Sequence, residues 1–147
     1  ATERWINEYY KENNFLDLLE KLPNKYRYFL TTDENSKNRF NSIYKKYKIY
    51  NNESFEDIKS IKDKITILDQ LNYKNWLNVI YSSKTLVTPE CGALHIAGAC
   101  NVPVTIIYDA DYYPEKMYKE YHPWKSKHTK LISNDPFLNN KIVKQLI

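Results

Sequence analysis

The sequence predicts an α/β fold in one domain of 147 residues, a mainly parallel sheet covered by helices on both faces. Two observations carry that expectation. Short apolar runs alternate along the chain with stretches of helical period, the pattern of successive βαβ crossovers. No internal repeat or low-complexity linker divides the chain, and 42% hydrophobic residues suffice for a core.

Residues 5–22 read as a helix, with Phe15, Leu18, Leu19 and Leu22 at helical spacing and Pro23 ending the pattern. Residues 26–32 form an aromatic-rich strand stopped by Asp33-Glu34-Asn35. Ser36 can cap a second helix that carries Phe40, Ile43, Tyr44 and Tyr47 on one face. Ile49-Tyr50 is a short strand, and the polar connection 51–64 has room for a helical turn at 55–58. A strand at 65–68 is followed by a helix capped by Asn72, with Trp76, Leu77, Val79 and Ile80 inside. A strand at 85–88, a helix at 93–100 and a strand at 102–108 come next, then an aromatic-rich loop at 112–127. A strand at 129–132 and a helix capped by Asn134 or Asp135, carrying Ile142, Val143 and Leu146, complete the order.

Composition narrows the function classes. No apolar run approaches the ~20 residues of a membrane span, and the opening Ala1-Thr2-Glu3-Arg4-Trp5 does not form a signal peptide. The absence of an opening Met is read as processing or excision from something longer. Net charge is +4, and lysines interleave with tyrosines, as in Tyr44-Lys45-Lys46-Tyr47-Lys48. Such interleaving suits nucleic acid, but no recognition motif accompanies it, so a solvated surface is the reading preferred here and no nucleic-acid partner is expected. Cys91 and Cys100 are nine positions apart; on a helix that is about 13 Å, beyond the ~7 Å limit of a disulfide. Neither has zinc-ligand spacing, so no metal and no cofactor is expected. Free thiols suit a reducing compartment, and the cytoplasm is the default.

The chemistry concentrates in one turn. The strand 85–88 ends at Pro89, and Glu90-Cys91-Gly92 leads into Ala93-Leu94-His95-Ile96-Ala97-Gly98-Ala99-Cys100. The first amides of a helix lack intrahelical partners and carry the positive end of its dipole. Gly92 has no Cβ to keep a ligand from the backbone, so the turn suits an anion, with phosphate the usual one. His95, in the first helical turn, faces either that ligand or the core. Cys91 at a helix start has the setting of a nucleophile, but no orienting group accompanies it and no catalytic residue is assigned.

The block from Ser82 to Val104 resembles the C-terminal signature of the family 9 glycosyltransferases, the heptosyltransferase-like enzymes. Their pattern is an apolar strand, Asp-Thr/Ser-Gly-Pro-Met-His, a small-residue helix, then Gly-X-Pro and a further apolar strand. Glu90, Cys91, Gly92, Ala93, Leu94 and His95 stand at the six central positions, and Pro103 at the later proline. Glu3-Arg4-Trp5 resembles the Lys-X-Trp segment that opens the family's second domain, and Ile67-Leu68-Asp69 with Trp76-Leu77 the strand and helix before the signature.

The resemblance implies a Rossmann-like C-terminal half of a two-domain GT-B enzyme, binding a nucleotide-diphosphate sugar, an ADP-heptose-like donor. The amides of Cys91, Gly92 and Ala93 would hold the pyrophosphate, with Leu94 and His95 completing the motif. Glu90 would lie near the sugar, Arg4 would be a phosphate partner, and Ile67, Leu68 and Asp69 would flank the nucleobase. A glycan or glycolipid acceptor and the catalytic base would belong to an N-terminal domain outside residues 1–147, with peripheral membrane attachment an option for that longer parent. The chain departs from the pattern with Glu90 for Asp and with Asp109-Ala110-Asp111 where Gly-Pro-Thr is common. Those departures motivate an alternative, a non-catalytic Rossmann-like binding or interaction module that has lost transferase activity.

Overall fold

A computed structural model describes residues 9–51 and 54–147. Its elements follow in the order α1 (Glu12–Lys21), β1 (Tyr28–Thr32), α2 (Ser36–Arg39), α3 (Asn41–Lys46), β2 (Lys48–Asn51), α4 (Phe55–Ser60), β3 (Ile65–Asp69), α5 (Tyr73–Tyr81), β4 (Leu86–Pro89), α6 (Gly92–Ala99), β5 (Val104–Tyr108), α7 (Pro114–Glu120), β6 (His128–Ile132) and α8 (Leu138–Leu146). Every strand pairing among the described residues is parallel. The expected single sheet is instead two sheets of three strands, ordered β1-β3-β2 and β4-β5-β6. Helices flank both, in a Rossmann-like α/β arrangement.

The central strand of each sheet is buried along its whole length: Ile65–Asp69 in one, Val104–Tyr108 in the other. Strands covered on both faces read as continuous apolar runs, and Ile-Thr-Ile-Leu and Val-Thr-Ile-Ile-Tyr are such runs. On one face α1, α3 and α8 place Phe15, Leu19, Ile43, Ile142 and Leu146 over Ile67 of β3 and Ile107 of β5, so one cluster spans both sheets. On the other face Ile58 and Val79 cover Leu68, while Ile80, Leu94 and Ala97 cover Val104 and Ile106. Each Leu or Ile so buried stabilises the fold by about 1.5–3 kcal/mol before entropy is counted. β1 and β4 are the inner edges of the two sheets. They do not pair with each other, and a cleft of about 1590 Å³ runs between them.

Local signals explain where elements begin and where expectations failed. Asn72 caps α5 as expected, its side-chain oxygen accepting from the Asn75 amide at 2.9 Å. The helix expected after Ser36 is two short ones, broken at Phe40, whose side chain turns into the core against Phe15. Ser36 is not its cap: Ser36 is the first residue of α2 and its hydroxyl donates to Asp33 at 2.6 Å. Asp135 does not cap α8 directly; its carboxylate accepts from the Phe137 amide at 2.9 Å, in a turn that precedes the helix. The region read as an unbroken loop at 112–127 contains α7, started by Pro114 at a position where the missing N–H costs nothing. Residues 5–8 of the first expected helix lie outside the described residues. Among those described, no helix is long and apolar enough to cross a membrane.

Candidate functional site

The Glu90-Cys91-Gly92 turn leaves the carboxyl end of β4 and opens α6, as the sequence predicts. In parallel sheets this is the edge where helix N-termini converge and ligands bind. Glu90 continues the pairing of β4, its amide donating to the Ile107 carbonyl at 3.3 Å. Cys91 is fully extended (φ −167°, ψ −178°), and its carbonyl accepts from the Leu94 amide at 3.2 Å. The Cys91 thiol lies 3.3 Å from the Thr88 hydroxyl, which ties the turn to the strand it leaves. Among the described residues no side chain caps α6, so its leading amides keep the dipole's positive end toward an incoming acceptor.

Gly92 is exposed, has no positive φ, and a Cβ built on it would meet no atom of the described residues within 4 Å, its chain neighbours and its own helix backbone aside. Neither backbone conformation nor packing therefore requires glycine here. Gly98, the other glycine, is structural by contrast: a Cβ there would stand 3.0 Å from the Pro123 Cβ. His95 is exposed and meets Tyr121 edge-on at 6.5 Å, which decides its position against the core alternative. Gly92 and His95, three residues apart, share one face of α6. Ala93 and Leu94 point the other way and are buried in the core, so their share in a site is limited to backbone.

The other residues singled out from the sequence are placed as follows. Ile67 and Leu68 are fully buried core side chains. Asp69 is buried at the end of β3, accepting from the Thr32 and Tyr44 hydroxyls at 2.9 Å each, while Tyr44 also donates to Thr32 at 2.7 Å. Burial, aided by the Asp69 carboxylate, pushes the Tyr44 hydroxyl up to about 12. Arg4 lies outside the described residues. Cys91 and Ala93 line the carboxyl-end mouth of the inter-sheet cleft, together with Thr32, Asp33 and Thr88.

Two neighbouring features bear on the turn. Tyr108, at the end of β5, donates to the Tyr121 carbonyl at 2.9 Å; burial first, and the Glu90 carboxylate second, raise its hydroxyl above the ordinary range. The acidic loop after β5 is ordered by its own bonds, Asp111 donating its amide to Asp109 at 3.1 Å and accepting from the Tyr9 hydroxyl at 3.0 Å. Sequence reading missed the ring cluster of Tyr118, His122 and His128, which meets Tyr108 through the Tyr118 ring. There Tyr118 Oη lies 3.1 Å from His128 Nε2, and the two imidazoles are 5.8 Å apart. The spacing of Tyr118 and His122, four residues apart, was its one signal.

These features define an α/β protein with parallel sheets and an uncapped helix N-terminus at the carboxyl end of an inner strand. No protein-family model matches the chain, and no curated protein and no solved structure matches it.

Proposed function

We propose that this chain is the donor-binding half of a glycosyltransferase, taking a nucleotide-diphosphate sugar at the N-terminus of α6. The observation that carries the reading is Gly92: glycine stands at the first position of an uncapped helix where only the space in front of it is left to explain the residue. A pyrophosphate there would accept from the amides of Cys91, Gly92 and Ala93, with His95 on the same face as Gly92. Glycosyl transfer releases a nucleoside diphosphate, and amides fixed where that charge develops stabilise the departing group. Glu90, whose carboxylate lies close enough to Tyr108 to raise its hydroxyl, would be the residue of the turn near the sugar. The base and the acceptor site would come from a second domain of a longer parent.

A second reading, a binding module without transferase activity, is favoured by Asp109 and Asp111, whose carboxylates would repel a diphosphate held near the end of β5. Calorimetric titration with ADP, UDP and an ADP-sugar tests the donor site. Binding of the ADP-sugar more tightly than UDP supports it, and no heat from any of the three at millimolar concentration removes it. Equal binding of ADP and the ADP-sugar, with no sugar contribution, favours the module.

A further inference from the structure

We propose that the amino-terminal edge of the parallel strands binds single-stranded nucleic acid, its phosphates on a row of cations and its bases on exposed rings. Along the sequence the lysines and tyrosines accompany no recognition motif; the fold gathers some of them at this one edge. Arg27 stands immediately before β1, Lys64 before β3 and Lys127 before β6, with Lys84 two residues before β4. Parallel pairing keeps these strand starts level: the Tyr28 amide donates to the Lys64 carbonyl at 2.7 Å, and the Val104 amide to the Lys127 carbonyl at 2.9 Å. Lys62 joins them from the connection after α4, where Arg27 donates to the Lys59 and Ile61 carbonyls at 3.0 and 2.5 Å. All five cations line the cleft between β1 and β4, whereas the acidic residues that line it, Asp33 and Glu34, stand beyond the opposite end of β1. Among the described residues none of the five forms an ion pair with a carboxylate.

The charge at this edge acts on its neighbours. Lys84 Nζ lies 3.2 Å from the Tyr26 hydroxyl and 4.8 Å from the ring centre, with Lys25 Nζ at 5.0 Å from the same centre. The Lys25 and Lys84 ammoniums hold the Tyr26 hydroxyl below its ordinary range, with no side-chain carboxylate acting against them. The spread of the cations selects a polymer. Neighbouring strands are about 4.8 Å apart, so the starts of β4 and β6, with β5 between them, stand about 10 Å apart, and Arg27 and Lys64 lie across the cleft. A lone phosphate meets one or two of these side chains, and a chain of phosphates meets the row. The rings select a single strand. Trp124 is 91% exposed in the connection that leads to Lys127 and β6, and Tyr81 is 67% exposed at the end of α5, three residues before Lys84. Unpaired bases offer their faces to such rings, while the bases of a duplex are already stacked on each other.

Fluorescence anisotropy with a labelled oligo-dT of about 16 nucleotides tests this. Between about 50 and 200 mM salt the affinity should fall with a log–log slope of about −3.5, if all five cations engage phosphates. Lys84→Gln combined with Lys127→Gln should make that slope shallower by about 1.4. Trp124→Ala should weaken binding roughly 5- to 150-fold and leave the slope unchanged. Gly92→Val, at the opposite edge of the sheet, should leave oligo-dT binding as it is, so the result is independent of the donor site. No binding at about 50 mM salt would overturn the proposal, as would a slope untouched by the two lysine substitutions or an affinity untouched by Trp124→Ala. Equal affinity for a duplex of the same length would overturn the single-stranded assignment. Binding to phosphatidylserine-rich vesicles with none to oligo-dT would overturn it in favour of a membrane surface.

Discussion

Replacing Gly92 by valine separates binding from folding in one substitution. The added Cβ meets no atom of the described residues within 4 Å outside its own helix and chain neighbours, and no positive φ is strained, so the folded state gives up no contact. Valine is also a slightly better helix residue than glycine, by a few tenths of a kcal/mol. Stability should therefore change by no more than about 0.5 kcal/mol, typical of surface positions. For a chain of this length that is a shift of roughly 1–2 °C in the thermal midpoint. Binding should respond quite differently. Branched methyl groups in front of α6 would keep a pyrophosphate from the leading amides, and two charge-assisted bonds at about 1.5–3 kcal/mol each amount to about 3–6 kcal/mol. That is a loss of roughly 10²–10⁴ in affinity. Calorimetry with an ADP-sugar, beside a thermal melt of the same sample, reads both quantities. An unchanged affinity in the valine variant would refute the assignment of the turn, however well the variant folds.

Other outcomes follow from particular contacts. Tyr44→Phe should flatten the alkaline loss of stability: a hydroxyl raised to about 12 in the folded state keeps its proton after the unfolded chain has lost it. Its contribution is present below pH 10 and falls by about 1.3 kcal/mol by pH 11, so urea melts of the two proteins from pH 8 to 11 should converge. His95→Ala should leave the melting curve within about 1 °C, because the ring is exposed, while weakening nucleotide binding if the Gly92 face holds the phosphates. Leu94→Ala removes a fully buried side chain and should cost about 2–5 kcal/mol in denaturant melts. Gly98→Val should destabilise by about 1–3 kcal/mol, since its Cβ would crowd Pro123.

The βα alternation was legible because its signals are local. Residues 65–68 and 104–108 are runs of apolar residues and threonine with no charge among them, and Asn72 sits three residues before the amide it caps. What escaped was decided by tertiary packing. Phe40 breaks a helix because its ring is drawn against Phe15, a partner 25 positions away that helical periodicity does not register. α7 was hidden by tyrosines that fit loop and helix equally, although Pro114 marked its start. The separation into two sheets depends on which strand edges meet, and the apolar pattern of β1 and β4 is the same whether one neighbour is present or two. At the site, sequence located the turn. The exposure of His95 and the burial of Leu94 depended on the rotation of α6 against the sheet, set by Leu94 and Ala97 packing over Val104 and Ile106.

The loop that carries Tyr121 is fastened at two points, by the Tyr108 hydroxyl beneath its carbonyl and by Pro123 seated against Gly98. Both fasteners belong to rigid elements, a central strand and the helix itself. The backbone that carries the ring bordering His95 is thus held in position before anything arrives, and little loop freedom remains to be lost there on binding. A ligand at this face should associate in one kinetic step, its lifetime set by dissociation alone, with no slow phase for a loop to close over it.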